Sequence, residues 1–273
     1  MSTPDRNAAF VGDVPSNYDR YLRTVFFQGY ADDLAARLPV KPDMCVLETA
    51  CGTGIVTRSL LDRMRGHGRL VATDLNEAMI DHGRRHLKAE PGLIEWQTAD
   101  ATKLPFPDGS FDAVVCQFGL MFFPDKAAGI REAFRVLKPG GRYLFNVWDQ
   151  MARNPIARIT HETAASFFPS DPPMFYTVPF CLHDPEPTRA LLVQAGFGQI
   201  AWTHLEKTGT SPSAADAATG LIDGNPIGGQ IMERRPEALG EVKRAVAARI
   251  AAELGDSPVR APLRALVFTA RRP

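Results

Sequence analysis

The chain has 273 residues, 45% of them hydrophobic, enough to bury a large core and so to exclude disorder as its native state. Thirty-one basic residues balance 31 acidic ones, and this zero net charge lacks the basic excess with which nucleic-acid binders neutralise phosphates. No run of about 18 apolar residues occurs, so no membrane span is expected.

Apolar residues at spacings of three and four (Tyr18, Tyr21, Leu22, Val25, Phe26) predict helix over 16–38, stopped by Pro39 and Pro42. Met44–Ala50 is a short apolar run ending in a glycine-rich turn, the pattern of a strand buried on both faces. A helix over Ile55–Met64 follows, then a strand (Arg69–Leu75), a helix (Asn76–Lys88) and a strand (Leu93–Asp100) whose Glu95 and Gln97 place it near a sheet edge. Beyond the turn residues Pro105, Pro107 and Gly109 come a fourth strand (Phe111–Phe118) and a helix (Lys126–Leu137) with Asp125 as its N-cap. Pro139-Gly140-Gly141 stops that helix, and Arg142–Trp148 is a fifth strand. Five strand–helix alternations at short spacing predict a mainly parallel sheet with helices on both faces.

After Trp148 the rhythm changes. A helix (Pro155–Phe168) leads into a Pro/Phe-rich stretch, then come a helix (Pro185–Ala195), a sixth strand (Gln199–Lys207), a mostly helical 208–256 and a last strand (Arg264–Arg271). The expected organisation is one domain over 1–273. Within it, 1–40 is an N-terminal helical lid, 41–149 a cofactor-binding core, 150–184 and 208–258 lid insertions, and 185–207 with 259–273 complete the sheet. The start, Met1–Arg6, has no basic region followed by an apolar stretch, so no secretory leader is expected. Cys45, Cys51, Cys116 and Cys181 are scattered without metal-type spacing; three of them fall on or beside probable core strands and read as small hydrophobes, which fits a reducing cytoplasm.

The chemistry starts in the first turn, Glu48-Thr49-Ala50-Cys51-Gly52-Thr53-Gly54. Glycines there let the backbone approach a ligand and open a helix. A dinucleotide G-x-G-x-x-G fails in both registers, since Thr57 and Ile55 stand where its third glycine belongs. Glu48, four residues before Gly52, suits a ligand with a positively charged amine and no pyrophosphate. Asp74, twenty residues after Gly54, can accept ribose hydroxyls; the plain alternative is a cap for the helix behind it. Asp100 can accept from an adenine amino group, although a lone aspartate there reads as a turn residue. Three carboxylates at the carboxyl ends of successive strands form a sharper pattern, because ligands of open α/β sheets bind at that edge.

Val46–Gly54, Val71–Leu75, Ala99–Asp100, Leu104–Phe111 and Leu137–Gly141 resemble, in order, the motifs of class I S-adenosylmethionine-dependent methyltransferases, type 11, the group of the quinone-biosynthesis C-methyltransferases. The resemblance is strong over about 40–150 and extends elsewhere only in layout. It implies a Rossmann-like α/β fold with a seven-stranded, mostly parallel sheet and helical lid insertions. It also implies S-adenosylmethionine as cofactor, with S-adenosylhomocysteine as its product. By position, Glu48, Ala50, Cys51, Gly52 and Gly54 would hold the methionine part, Asp74 and Leu75 the ribose and adenine, and Asp100 and Ala101 the adenine edge. Gln117 or Phe118 would border the methyl group, and Tyr18 and Tyr21 resemble lid residues reaching the methionine carboxylate. The family more often has Asp at position 48 and Gly at position 50; Ala50 is tolerable if its φ stays negative.

Methyl transfer from a sulfonium is an in-line displacement that needs a base only if the acceptor must lose a proton. Candidates are His161 and His183 in the lid and His204 on the sixth strand, although lone histidines are more often structural. His82 and His86 at i, i+4 spacing lie beside Arg84 and Arg85 and read as a solvated helix face, so no metal site is expected. Asp171-Pro172-Pro173-Met174 is similar to the loop of methyltransferases acting on nucleic-acid bases, but that loop should follow the fourth strand. Phe122, Phe123, Phe167, Phe168, Met174, Phe175 and Tyr176 predict either lid packing or an apolar acceptor pocket. The expected function is methyl transfer to a small apolar or aromatic metabolite. A nicotinamide-dependent oxidoreductase, or a non-catalytic S-adenosylmethionine-binding partner protein, is the alternative.

Overall fold

A computed structural model describes residues 12–273. The first eleven residues of the expected 1–40 lid, and with them the leader reading, lie outside the described residues. Strands β1 (Cys45–Thr49), β2 (Arg69–Asp74), β3 (Ile94–Thr98), β4 (Phe111–Gln117), β5 (Leu137–Trp148), β6 (Gly198–Ser211) and β7 (Val259–Arg271) form one sheet in the order β3-β2-β1-β4-β5-β7-β6. The first five strands pair in parallel, and β7 runs antiparallel to both β5 and β6. This is the expected seven-stranded, mostly parallel α/β sheet. In β1 and β4, consecutive side chains are buried (Val46, Leu47 and Glu48; Ala113 to Cys116), so both sheet faces are covered there. β3 is an outer strand, as Glu95 and Gln97 foretold.

The helices are α1 (Val14–Asn17), α2 (Gln28–Ala36), α3 (Ile55–Met64), α4 (Glu77–His86), α5 (Lys126–Val136), α6 (Pro155–Ser166), α7 (Pro185–Ala195), α8 (Ala214–Asp223), α9 (Ile227–Arg234) and α10 (Leu239–Leu254). Between α1 and α2 the chain is π-helical over Tyr18–Phe27. Such stretches are rare and gather at functional sites. Asp125 caps α5 by accepting from the Ala128 amide at 2.8 Å.

Several boundaries differ from the sequence reading. Residues 208–211, read as the start of a helical stretch, extend β6, and 259–263 extend β7 to pair with them. Pro262 hid this second extension. It lies beyond the part of β7 that pairs with β5, where the missing amide hydrogen costs no ladder bond on that side. The fourth strand ends at Gln117 instead of Phe118, because Phe118 turns left-handed at φ +48.

The π-helix is set tightly into this frame. A methyl group on Gly209 of β6 would collide with the Val25 carbonyl, and one on Gly220 of α8 with Tyr21 and Leu22. Small residues at these two points let the segment carrying Tyr18 sit directly against strand and helix. Gly209→Ala should therefore destabilise the protein by about 1–3 kcal/mol, the range for overpacking, read as a lower urea midpoint at unchanged slope.

Candidate functional site

The site grows from the carboxyl ends of β1, β2 and β4. The chain leaves β1 through three left-handed residues, Ala50 (φ +53), Gly52 (φ +56) and Gly54 (φ +88). The expectation that Ala50 keeps a negative φ is corrected: it adopts the conformation usual for glycine. The turn is pinned from β2, where the Cys51 amide donates to the Thr73 carbonyl and the Gly52 amide to Asp74 Oδ2, each at 2.9 Å. Gly54 begins α3 at a point where a side chain would strike the Trp96 ring.

Asp74 is buried, and its Oδ1 accepts from the Asn76 amide at 2.8 Å. Burial raises its pKa, against the pull of these backbone hydrogen bonds. It does not cap α4, whose N-cap is Asn76. Glu48 lies deeper, 1% exposed, and accepts from the Thr57 hydroxyl at 2.7 Å. Thr57, the residue that broke the dinucleotide motif, thus serves Glu48. Desolvation pushes the Glu48 carboxyl up to about 8, and among the described residues no cation pairs with it. Asp100 is exposed and closes a tight turn by accepting from the Thr102 amide and hydroxyl.

The exit from β4 is built differently. The Phe118 amide donates to both the carbonyl and the side-chain Oδ1 of Asn146, a fully buried residue on β5. This holds Phe118 in its left-handed turn with its ring stacked on Trp148, centroids 3.8 Å apart and planes within 5°. Gly119 follows, where any side chain would overlap the Ala50 methyl group and Cys116 Sγ. The two turns therefore touch, and each limits what the other can carry.

Three adjoining cavities open at these turns. A cleft with about 760 Å³ of open space runs past Asp74, Leu75, Asp100, Ala101, Gln117 and Phe118. An inner pocket of about 280 Å³ is bordered by Glu48, Ala50, Cys51, Gly52 and Thr53. An aromatic cavity of about 480 Å³ lies between Phe26, Trp148, Phe175, Tyr176 and Phe180, with Asn225 as a polar group. Tyr18 borders all three, and Phe118 and Phe122 border both cleft and aromatic cavity. The fit to a methyl donor rests on the chemistry of these walls: two buried carboxylates face one end and aromatic rings the other.

Comparison with known proteins agrees. Residues 46–141 match the methyltransferase domain family. Over 178 residues the chain is 32% identical to the ubiquinone/menaquinone biosynthesis C-methyltransferase UbiE of Proteus mirabilis, covering 61% of this chain and 71% of that one. The chain belongs to the class I S-adenosylmethionine-dependent methyltransferases of the UbiE-like type. Two solved structures share the fold at low identity. The YcgJ protein of Bacillus subtilis is 18% identical at TM-score 0.57, covering 89% of this chain and 98% of that one. Phosphoethanolamine N-methyltransferase 2 of Haemonchus contortus is 16% identical at TM-score 0.64, covering all of this chain and 60% of that one.

In this methyltransferase the expected site residues divide. Tyr18, Glu48, Ala50, Cys51, Gly52, Asp74, Leu75, Asp100, Ala101, Gln117 and Phe118 border the cleft or the inner pocket. Gly54 lies under Trp96 instead, and Tyr21 lies against Gly220 with Arg20 over its ring. The histidine candidates border none of the three cavities. His161 is half-buried on α6, and His183 is exposed in a separate polar hollow. His204 borders that hollow too, 3.3 Å from Asp149. Of the predicted aromatic cluster, Phe122, Phe175 and Tyr176 reach the aromatic cavity, whereas Phe168 packs under Arg235 and Met174 is exposed. Trp148, Phe26 and Phe180 were missed as cavity residues. Trp148 was the findable one, ending a strand at the same edge as the three carboxylates. The solvated reading of His82 is also corrected: it is buried, stacked on His86 at 4.1 Å, and faces Asp19.

The contact between the two turns is testable. Gly119→Ala should cost about 2 kcal/mol or more through overpacking. Adding Ala50→Gly should recover part of that loss, since it removes one of the two obstructing groups. A thermal-unfolding double-mutant cycle reads this recovery, and strictly additive losses would refute it.

Proposed function

We propose that this enzyme transfers a methyl group to a small apolar or aromatic metabolite, through a carbon, oxygen or nitrogen acceptor seated in the aromatic cavity. The observation that carries this reading is the meeting of all three cavities at Tyr18, with Phe118 and Phe122 between cleft and aromatic cavity. Bound S-adenosylmethionine supplies an activated methyl on a sulfonium: the acceptor–carbon bond forms as the sulfur–carbon bond breaks, and the electron pair returns to sulfur. The residues do the aligning. Asp100 and Ala101 border the adenine and Asp74 and Leu75 the ribose, while Glu48 with the turn from Ala50 to Gly52 receives the methionine ammonium. Gln117, Phe118 and Tyr18 form the wall next to the methyl group.

Aromatic walls exclude water, and a displacement whose transition state spreads the sulfonium charge over sulfur, carbon and acceptor is favoured in such a medium. Hydroxyls and an amide supply the polarity of the aromatic cavity, so an acceptor that brings its own electron-rich atom suits it best. A quinone-like acceptor, as the name of the UbiE relatives indicates for them, is one such molecule. In domain terms, residues 41–149 are the donor-binding core and 12–40, 150–184 and 212–258 roof the acceptor. Four free thiols suit a cytoplasmic setting.

Calorimetry with S-adenosylhomocysteine tests the donor half. The wild type should bind and Asp74→Ala should lose at least about tenfold, the loss for one charged hydrogen-bonding group; tight NAD binding without S-adenosylhomocysteine binding would overturn the reading. For the acceptor half, methylation of a panel of quinols, phenols and amines is followed by mass spectrometry. Trp148→Ala should lower kcat/KM for aromatic acceptors about tenfold or more, from lost ring contact, with S-adenosylhomocysteine affinity nearly intact.

Glu48 gives a pH dependence of defined sign. In the free enzyme it keeps its proton below about pH 8, whereas a seated ammonium favours the carboxylate. Binding therefore releases a proton, and affinity should rise from pH 6 to pH 8. In Glu48→Gln the affinity should be weaker and this part of the slope absent.

A further inference from the structure

Asp19 follows Tyr18 on the π-helix and joins three elements. Its carboxylate accepts from Arg23 Nη2 at 2.6 and 2.8 Å and from Arg23 Nε at 3.1 Å. The Thr53 hydroxyl donates to Asp19 Oδ1 at 3.3 Å. Thr53 is buried between Gly52 and Gly54 and borders the inner pocket. The third element is α4, where His82 Nε2 lies 3.7 Å from Asp19 Oδ2.

That last contact is incomplete. Among the described residues no partner stands within hydrogen-bond distance of the buried His82 Nε2, and 3.7 Å to Asp19 exceeds a normal N–H···O distance by about 0.7 Å. Buried polar atoms rarely stay unpaired, so each one calls for a cause. The surroundings hold the imidazole in place: His86 stacks on it, and Gly83 beside it fits under Trp96 and against the Thr53 carbonyl. Desolvation and the nearby His86 and Arg85 disfavour a charged imidazole, while Asp19 favours it. The group that faces it is the Asp19 carboxylate, whose π-helix segment meets the glycine turn at Thr53.

We propose that Asp19 is a positioning residue for the methyl donor, a clamp between the lid helix and the glycine turn that closes onto His82 when the donor is seated. The proposal rests on the donor placement argued above. Asp19 holds Thr53 and, through its neighbour, sets Tyr18 over the three cavities. With the inner pocket filled, Tyr18 and Asp19 settle toward the turn, and His82 Nε2–H gains its acceptor. Arg23 stays on the same carboxylate and balances its charge throughout.

His82→Phe tests this in a way a purely structural role would not satisfy. It removes an unpaired buried polar atom and keeps a ring on His86, so the free protein should melt at or above the wild-type temperature. S-adenosylhomocysteine should nonetheless bind about fivefold to tenfold more weakly, through faster release, because the closed state has lost a hydrogen bond to a charged group. Asp19→Asn, which keeps the Thr53 acceptor and the side-chain volume, should also release the ligand faster. Asp19→Ala and Thr53→Val should be non-additive in binding. In the wild type, the histidine ¹H–¹⁵N spectrum should show the His82 Nε2 resonance shifting on addition of S-adenosylhomocysteine. Wild-type affinity in both His82→Phe and Asp19→Asn, with that resonance unmoved, would overturn the clamp alone. A wild type that does not bind S-adenosylhomocysteine would overturn the donor placement and the clamp together.

Discussion

The chain must leave two neighbouring parallel strands at the same sheet edge without closing the space between them. It does so by turning left-handed after β1 and again after β4, at Ala50 and Phe118. Neither residue is glycine, and each left-handed side chain costs on the order of 1–2 kcal/mol. The cost is met by hydrogen bonds from outside the turns: Thr73 and Asp74 hold the first, and both acceptors of Asn146 hold the second. Because the turns touch at Ala50 and Gly119, their geometries are set together. The floor of the cleft, the stacking of Phe118 on Trp148 and the place of Tyr18 above them all depend on that contact.

The electrostatics follow from the same geometry. Tight turns at the ends of buried strands draw Glu48 and Asp74 out of water, and both carboxyls titrate upward in consequence. Tyr18 is pushed up as well, first by burial and then by Asp74 and Asp19. The site is thus a low-dielectric hollow with negative charge held in reserve at one end, a complement to a ligand that carries both an ammonium and a sulfonium. The lining of the aromatic end has no such charge, so the two ends differ in polarity.

Much of this was legible in the residues. The carboxylates at successive strand ends, the failure of the dinucleotide motif at Thr57 and the alternation of strand and helix depend on local sequence, and they yielded the fold class and the donor family. What escaped depended on contacts distant in sequence. Nothing near Ala50 announces that Gly119 makes room for its methyl group, so its φ was misjudged. His82 looked solvated because its neighbours Arg84 and Arg85 are charged, while the element that buries it lies some sixty residues earlier. The extension of β7 past Pro262 was hidden because a proline in a strand reads as a break until the sheet order shows which side is unpaired. His161 and His183 carried a chemical type suited to a base, and only the fold could place them away from the aromatic cavity.

The sheet order also governs assembly. β6 lies outside β7, yet it precedes β7 in the chain by nearly fifty residues. Until β7 is inserted, β6 has no neighbour to pair with, and β5 presents an open edge along Arg142–Trp148. Such edges template association between unfinished chains. The helices between these strands, α8, α9 and α10, must therefore order quickly relative to intermolecular encounter.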